Sequence, residues 1–256
     1  MVRFLKSVGM SLKLVAIFVF GGLELAAKRP ATRELRAEWL HQFCARALRG
    51  MRIAARLEGT YPERGVVISN HLGYLDIMAF AALHRCVFVS KAEIRSWPFL
   101  GWMTTMAGTV YVERGRGGSA TRAKDGMQVA ADAGLPVVFF PEGTTSDGST
   151  VLKFRSGLLS EAIEAGQPVT AAYVRFGLTQ DNGPGVTVTS HVSFWDDTPL
   201  LKHIFSLVAL RGIEVVVRFA DSPIVFSSSN RKIAAIEARA AVMEVGGVTE
   251  PELVRS

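Results

Sequence analysis

Cysteine is nearly absent from this chain: Cys44 and Cys86 are the only two in 256 residues, with no CxxC pair and no Cys/His cluster. That excludes a disulfide framework and a structural zinc site, and it fits a reducing, cytosol-facing setting. No histidine stands at metal-ligand spacing, so neither a metal nor another cofactor is expected. A G-x-S-x-G elbow is missing, which removes the usual signal of a serine nucleophile. Internal repeats and low-complexity linkers are missing too.

Acidic residues are scarce at the amino terminus. Residues 1–50 hold nine Lys/Arg and only three Asp/Glu, which is the whole of the chain's +6 charge, so residues 51–256 balance at zero. The composition is 49% hydrophobic with a mean hydropathy of +0.25, rich for a freely soluble enzyme. A basic, apolar leader on a neutral body points to an anionic lipid surface; nucleic-acid readers keep their basic face on the folded domain, so nucleic acid is not an expected partner.

Within the leader, Arg3, Lys6 and Lys13 precede an apolar run from Leu14 to Leu23, a pattern shared with signal peptides. The run is short for a membrane span and Glu24 interrupts it, so an uncleaved, membrane-associating helix is expected. Lys28-Arg29-Pro30 breaks that helix. A second starts after Thr32, a good cap, with Leu35, Trp39, Leu40, Phe43, Ala47 and Leu48 at helical spacing. The pair reads as a hairpin dipped into one leaflet; ordinary packing of both helices on the core is the alternative.

After Gly50, short β-rich runs alternate with helical ones. Strands are predicted near 53–57, 66–69, 87–90, 109–113, 137–140, 169–176, 186–190 and 213–219, and helices near 74–83, 98–106, 120–133, 157–165, 200–209 and 231–245. The expected fold class is α/β, a mixed sheet flanked by helices, with residues 1–50 as a membrane-associating two-helix segment and 51–256 as the catalytic domain.

Three of these strands end in polar clusters. Val67-Ile68-Ser69-Asn70-His71-Leu72-Gly73-Tyr74-Leu75-Asp76 delivers an imidazole to a strand's end with a carboxylate five residues on. A base and a group to orient it are what proton abstraction needs, although a histidine capping the next helix would look the same. Gly108-Thr109-Val110-Tyr111-Val112-Glu113-Arg114 places a guanidinium where it can grip phosphate or carboxylate, or stand as a solvated loop charge. Val137 to Ser146 stops at Pro141-Glu142-Gly143-Thr144, where Gly143 lets backbone approach a ligand and Glu142 with Thr144 offers acceptor and donor.

In this order and spacing, the blocks Asn70–Asp76, Lys91–Gly101, Gly108–Gly115 and Phe139–Gly148 resemble those of the glycerolipid (lysophosphatidic acid) acyltransferase family, over roughly residues 50–220. The resemblance implies a membrane-associated O-acyltransferase. It would move a fatty acyl chain from acyl carrier protein or coenzyme A to a lysolipid hydroxyl, at the cytoplasmic face of the inner membrane where such donors are found. It implies His71 as general base and Asp76 as the partner fixing its tautomer. Lys91, Arg114, Glu142, Gly143, Thr144, Thr145 and Lys153 are the implied substrate-binding residues. Backbone N–H groups near Gly143 or at the helix start after His71 are the candidate donors to the developing oxyanion.

Two positions depart from the family pattern. Members acting on lysophosphatidate commonly carry arginine where Thr145 stands, and alanine replaces a proline at Ala171 in Pro168–Val174. A phosphomonoester favours more than one cation, so Thr145 argues for a zwitterionic head group such as lyso-ornithine lipid, while Arg155, Arg116 or Lys153 are the residues that would replace the lost charge. On family breadth the expected acceptor is 1-acylglycerol-3-phosphate, with lyso-ornithine lipid as the alternative. A non-catalytic lipid-binding protein and a hydrolase built on His71 and Asp76 are the competing classes. His41 lies within the second amino-terminal helix, His84 precedes a strand, and His191 and His203 lack close acidic partners in sequence, so all four read as structural or exposed.

Overall fold

The computed structural model describes residues 2–112 and 119–249. It opens with α1 (Val2–Lys28) and α2 (Arg33–Met51). Thr32 caps α2 as its sequence predicts, its hydroxyl accepting from the N–H of Leu35 at 3.3 Å. The α/β elements follow as β1 (Ala54–Glu58), β2 (Val66–Ile68), α3 (Tyr74–Leu83), β3 (Val87–Lys91), a 3-10 turn at Ala92–Ser96, α4 (Leu100–Met106) and β4 (Val110–Val112). After the gap come α5 (Ser119–Asp132), β5 (Val137–Phe139), α6 (Ser156–Glu164), β6 (Val169–Leu178), α7 (Val188–His191), α8 (Leu200–Leu207), β7 (Ile213–Phe219) and α9 (Arg231–Gly246).

The seven strands form one mixed sheet in the order β1-β7-β6-β2-β5-β3-β4. Every neighbouring pair is parallel except β6 and β7, which run antiparallel from Ala172 opposite Phe219 to Leu178 opposite Ile213. The central strands are apolar on both faces, as strands buried between two helical layers must be. Alternation along β2 sends Val67 into one core with Phe80, Val138 and Val174, and Val66 and Ile68 into the other with Phe139, Leu159 and Ala171. α2 and α3 cover the first face; α5, α6 and α9 cover the second.

α2 is a working part of the first layer: Trp39, Phe43, Cys44, Ala47, Leu48 and Met51 are buried. Phe43 stacks on Trp39 at 5.1 Å and meets Phe18 of α1 edge-on. α1 is continuous for 27 residues rather than confined to the apolar run, and Ser7–Lys28 is, by length and composition, the one helix among the described residues long and apolar enough to cross a membrane. Its outward stripe of Leu12, Val15, Val19, Phe20 and Leu23 is exposed.

One predicted strand is absent. Residues 186–190 hold the start of α7, because the Thr187 hydroxyl accepts from the N–H of Ser190 at 3.1 Å and caps a helical turn. Hydroxyl-bearing Thr187 satisfies backbone locally, which outweighs the β-branched pattern that predicted extension. The helix expected at 98–106 is found but starts two residues later. α4 begins only after Phe99, whose φ of +61° cannot belong to a helix.

Candidate active site

Because β2, β3, β4 and β5 are parallel, their carboxyl ends share one edge of the sheet, where open α/β folds gather their polar groups. His71 follows β2, Lys91 ends β3 and Pro141-Glu142-Gly143 follows β5, the strand next to β2. Arg114 lies outside the described residues, so its contacts are not part of the geometry.

Asp76 occupies the third position of α3 and is fully buried. Its Oδ2 accepts from His71 Nδ1 at 2.8 Å, from the N–H of Leu72 at 2.6 Å and from the N–H of Gly73 at 3.1 Å. The aspartate therefore caps α3 and orients the histidine with one oxygen. A carboxylate accepts only, so Nδ1 carries the proton and Nε2 is left with its lone pair. No partner to Nε2 exists among the described residues. The ring is packed flat against Phe140, with centroids 4.1 Å apart and planes 10° from parallel. That stacking fixes the second degree of freedom of the imidazole.

Glu142 lies beneath this pair at 3% exposure. Its Oε1 accepts from the N–H of Leu152 at 3.1 Å and its Oε2 has no partner. Burial pushes its pKa up to about 7; the Asp76 charge adds to the rise, while the N–H groups of Leu152 and His71 and the Arg239 guanidinium oppose it. The Asp76 Oδ1 is likewise buried without a partner. The loop is sewn to the turn that carries His71 by Ser146, whose N–H donates to the His71 carbonyl at 2.8 Å.

Of the candidate oxyanion donors, the N–H groups of Leu72 and Gly73 are spent on Asp76, and that of Gly143 donates to Phe140 at 3.0 Å. The N–H groups of Thr144 and Thr145, next along the same loop, have no acceptor among the described residues. Thr144 is exposed and Thr145 half-buried, so both can be reached by a ligand. Lys91 stands two strands from β2, roughly 10 Å away at the usual strand spacing. Lys153 is exposed beyond the loop. Among the described residues no group of three or more His, Cys, Asp or Glu is gathered to hold a metal ion.

Residues whose part is invisible in the sequence complete the frame. Asn70 extends the β2–β6 ladder with its side chain, donating to Val174 O at 3.0 Å and accepting from Val174 N at 2.7 Å. On the β6 side, the N–H of Phe194 donates to Leu72 O at 2.8 Å. Tyr74 OH meets His203 Nδ1 at 3.0 Å, and His203 Nε2 meets the carbonyl of Ser193 at 3.1 Å. A carbonyl cannot donate, so His203 is protonated at Nε2 and accepts from Tyr74, and burial lowers its pKa to keep it neutral. A buried polar residue within an apolar run, as at Asn70, is the one signal that a sequence offers for such roles.

This arrangement supplies a base whose proton-accepting nitrogen is open, a carboxylate that holds its tautomer, and unoccupied backbone donors one loop away. It is suited to taking a proton from a hydroxyl and stabilising an oxyanion.

A protein-family profile described as Acyltransferase matches residues 52–175. The lyso-ornithine lipid O-acyltransferase of Pseudomonas aeruginosa is 33% identical over 187 residues, covering 72% of this chain and 66% of that protein. The 1-acyl-sn-glycerol-3-phosphate acyltransferase of Neisseria gonorrhoeae is 37% identical over 159 residues, covering 62% of this chain and 60% of the relative. The chain thus spans about two thirds or less of the length of these curated relatives. The crystal structure of the 1-acyl-sn-glycerophosphate acyltransferase PlsC from Thermotoga maritima shares the fold at a TM-score of 0.66 and 18% identity, over 97% of this chain and 100% of that one. The profile match across all four blocks, together with these relatives, marks residues 52–175 as an acyltransferase-family domain, on a sheet that gathers His71, Asp76 and Glu142 at one edge.

Proposed function

We propose that the protein is a membrane-associated O-acyltransferase that moves a fatty acyl chain from a thioester donor, acyl carrier protein or coenzyme A, to the free hydroxyl of a lysolipid. The observation that carries the reading is the His71–Asp76 pair with Nε2 open. In this reading His71 Nε2 takes the proton of the acceptor hydroxyl as the oxygen attacks the thioester carbonyl. The oxyanion collects hydrogen bonds from Thr144 and Thr145 N–H. Collapse of the tetrahedral adduct breaks the C–S bond, and His71 returns the proton to the departing sulfur. Asp76 stabilises the imidazolium formed in between. Since the thioester is already activated, no acyl-enzyme is required.

α1 would hold the enzyme at the bilayer, with the catalytic edge on the cytoplasmic side where the thioester donors are made. Lys91 and Arg114 would bear on the head group, with Gly143, Thr144 and Thr145 lining it and Lys153 at its rim. Thr145 in place of a cation, together with likeness to a lyso-ornithine lipid enzyme, favours a zwitterionic lysolipid as acceptor. Lysophosphatidate is the competing acceptor, favoured by likeness to the Neisseria enzyme.

The test supplies detergent-solubilised protein and its His71→Ala variant with labelled acyl thioester and offers lyso-ornithine lipid and lysophosphatidate separately. His71-dependent acylation of the first supports the full reading, and acylation of lysophosphatidate alone would replace the acceptor. Equal turnover by His71→Ala, or release of free fatty acid in preference to acylated lipid, would overturn the mechanism.

A further inference from the structure

The apolar stripe of α1 does not stand by itself: α4 and α8 both pack against this helix. The segment leading into α4 exposes Trp97 at 43%, Phe99 at 44% and Trp102 at 40%. The rings of Phe99 and Trp102 lie over Gly22 of α1, where a Cβ would come within 2.8 Å of Phe99 and 3.7 Å of Trp102. Phe99 reaches that place at a φ of +61°, a conformation a bulky side chain adopts only under constraint. On α8, Leu201 at 81% and Phe205 at 37% lie one turn apart on one face, while His203 and Leu207 turn inward. Exposed Lys13, Arg95 and Lys202 accompany the three elements. By contrast, the outward positions Glu34, Gln42, Arg46 and Arg49 make the exposed side of α2 mostly polar.

We propose that the surface seated in the membrane has three parts, α1 flanked by the Trp97–Trp102 segment and by α8, with α2 as their support from within. The partner is an anionic phospholipid bilayer. Indole rings and a rim of cations suit the interface between head groups and acyl chains, and each flank continues a helix already apolar enough to enter that region. Both flanks grow from the catalytic edge, one after β3 and one between β6 and β7, so seating them sets the depth of that edge relative to lipid. The inference rests on the reading of the chain as a lipid enzyme for its choice of partner, but its test requires no turnover.

The chain carries its own reporters, since of its four tryptophans Trp39 is buried at 3% and Trp102 is not. Full-length Trp97→Phe/Trp195→Phe protein, with Trp39 and Trp102 remaining, is mixed with phosphatidylglycerol vesicles whose acyl chains are brominated. Its Trp102→Phe derivative reports Trp39 alone. Quenching of the first and not the second is expected. In a second arm Leu201→Glu/Phe205→Glu, folded as judged by circular dichroism, is expected to lose at least about tenfold in vesicle affinity. Unquenched Trp102 on bound vesicles, unchanged affinity of the α8 variant, or shielding of Trp102 by self-association without lipid would each overturn the proposal. Wild-type protein that ignores vesicles would do so as well. Absence of acyl transfer in a protein that passes both arms would count against the proposed reaction alone.

Discussion

Glu142 makes the stability of this protein depend on pH in a direction opposite to that of a salt-bridged carboxylate. Its ordinary value of 4.5 is pushed up to about 7 by burial first and by Asp76 after it. Between those values the native state holds a proton that the unfolded chain has released, so stability falls as pH rises through the window. Moving a carboxyl from 4.5 to about 7 amounts to roughly 3 kcal/mol, absent below 4.5 and complete above 7. Glu142→Gln keeps an oxygen for the Leu152 N–H and does not titrate. The assay is thermal unfolding of both proteins in detergent by near-ultraviolet circular dichroism at pH 5, 6, 7 and 8, read as the difference between them so that shared titrations cancel. The variant is expected to gain on the wild type as pH rises, by roughly 6–12 °C in Tm for a chain of this size. A difference that does not change with pH would refute the reasoning, because it would mean that Glu142 is ionised throughout.

Asp76→Asn leaves an amide oxygen where Leu72 N–H, Gly73 N–H and His71 Nδ1 converge but removes the negative charge that stabilises the imidazolium, so kcat should fall by about 10²–10⁴ with little change in KM for the acceptor; an unaffected kcat would show that the Asp76 charge is not needed. Gly101→Ala drives a Cβ into the Arg95 carbonyl oxygen, and the backbone shift should cost about 1–3 kcal/mol in denaturant unfolding. Both thiols are buried, with burial raising the Cys44 thiol strongly and pushing Cys86 up to about 12, so iodoacetamide at pH 8 should label neither until the protein unfolds, as mass spectrometry would show.

Elements with strong local signals were legible to the residue: α3 between Tyr74 and Leu83, and β7 between Ile213 and Phe219, lie where periodicity put them. Residues 186–190 misled because alternating valines and hydroxyl residues look extended until one hydroxyl, Thr187, finds the N–H of Ser190. The break at Phe99 was hidden from local pattern, since its ring lies against Gly22 of α1, more than 70 residues earlier in the chain. The contact between His71 and Asp76 was readable because the two lie only five residues apart. Asn70, by contrast, works on Val174 across 104 positions, and no window along the sequence spans that distance. The spending of the Leu72 and Gly73 donors on Asp76 was equally hidden, since it depends on which of several acceptors the backbone reaches.

The neighbours of β2 come late in the chain. β2 is flanked by β5 and β6, so the turn that carries His71 has no walls until residues as far as Leu178 have been made, about 150 positions after the end of α1. At about 5–20 residues per second, ribosomal synthesis leaves roughly 8–30 s in which α1 is complete and the sheet edge beside His71 does not exist. A helix apolar enough to enter a bilayer therefore has time to settle there before the surroundings of His71 are assembled. The enzyme would be delivered to its workplace before it acquires its activity.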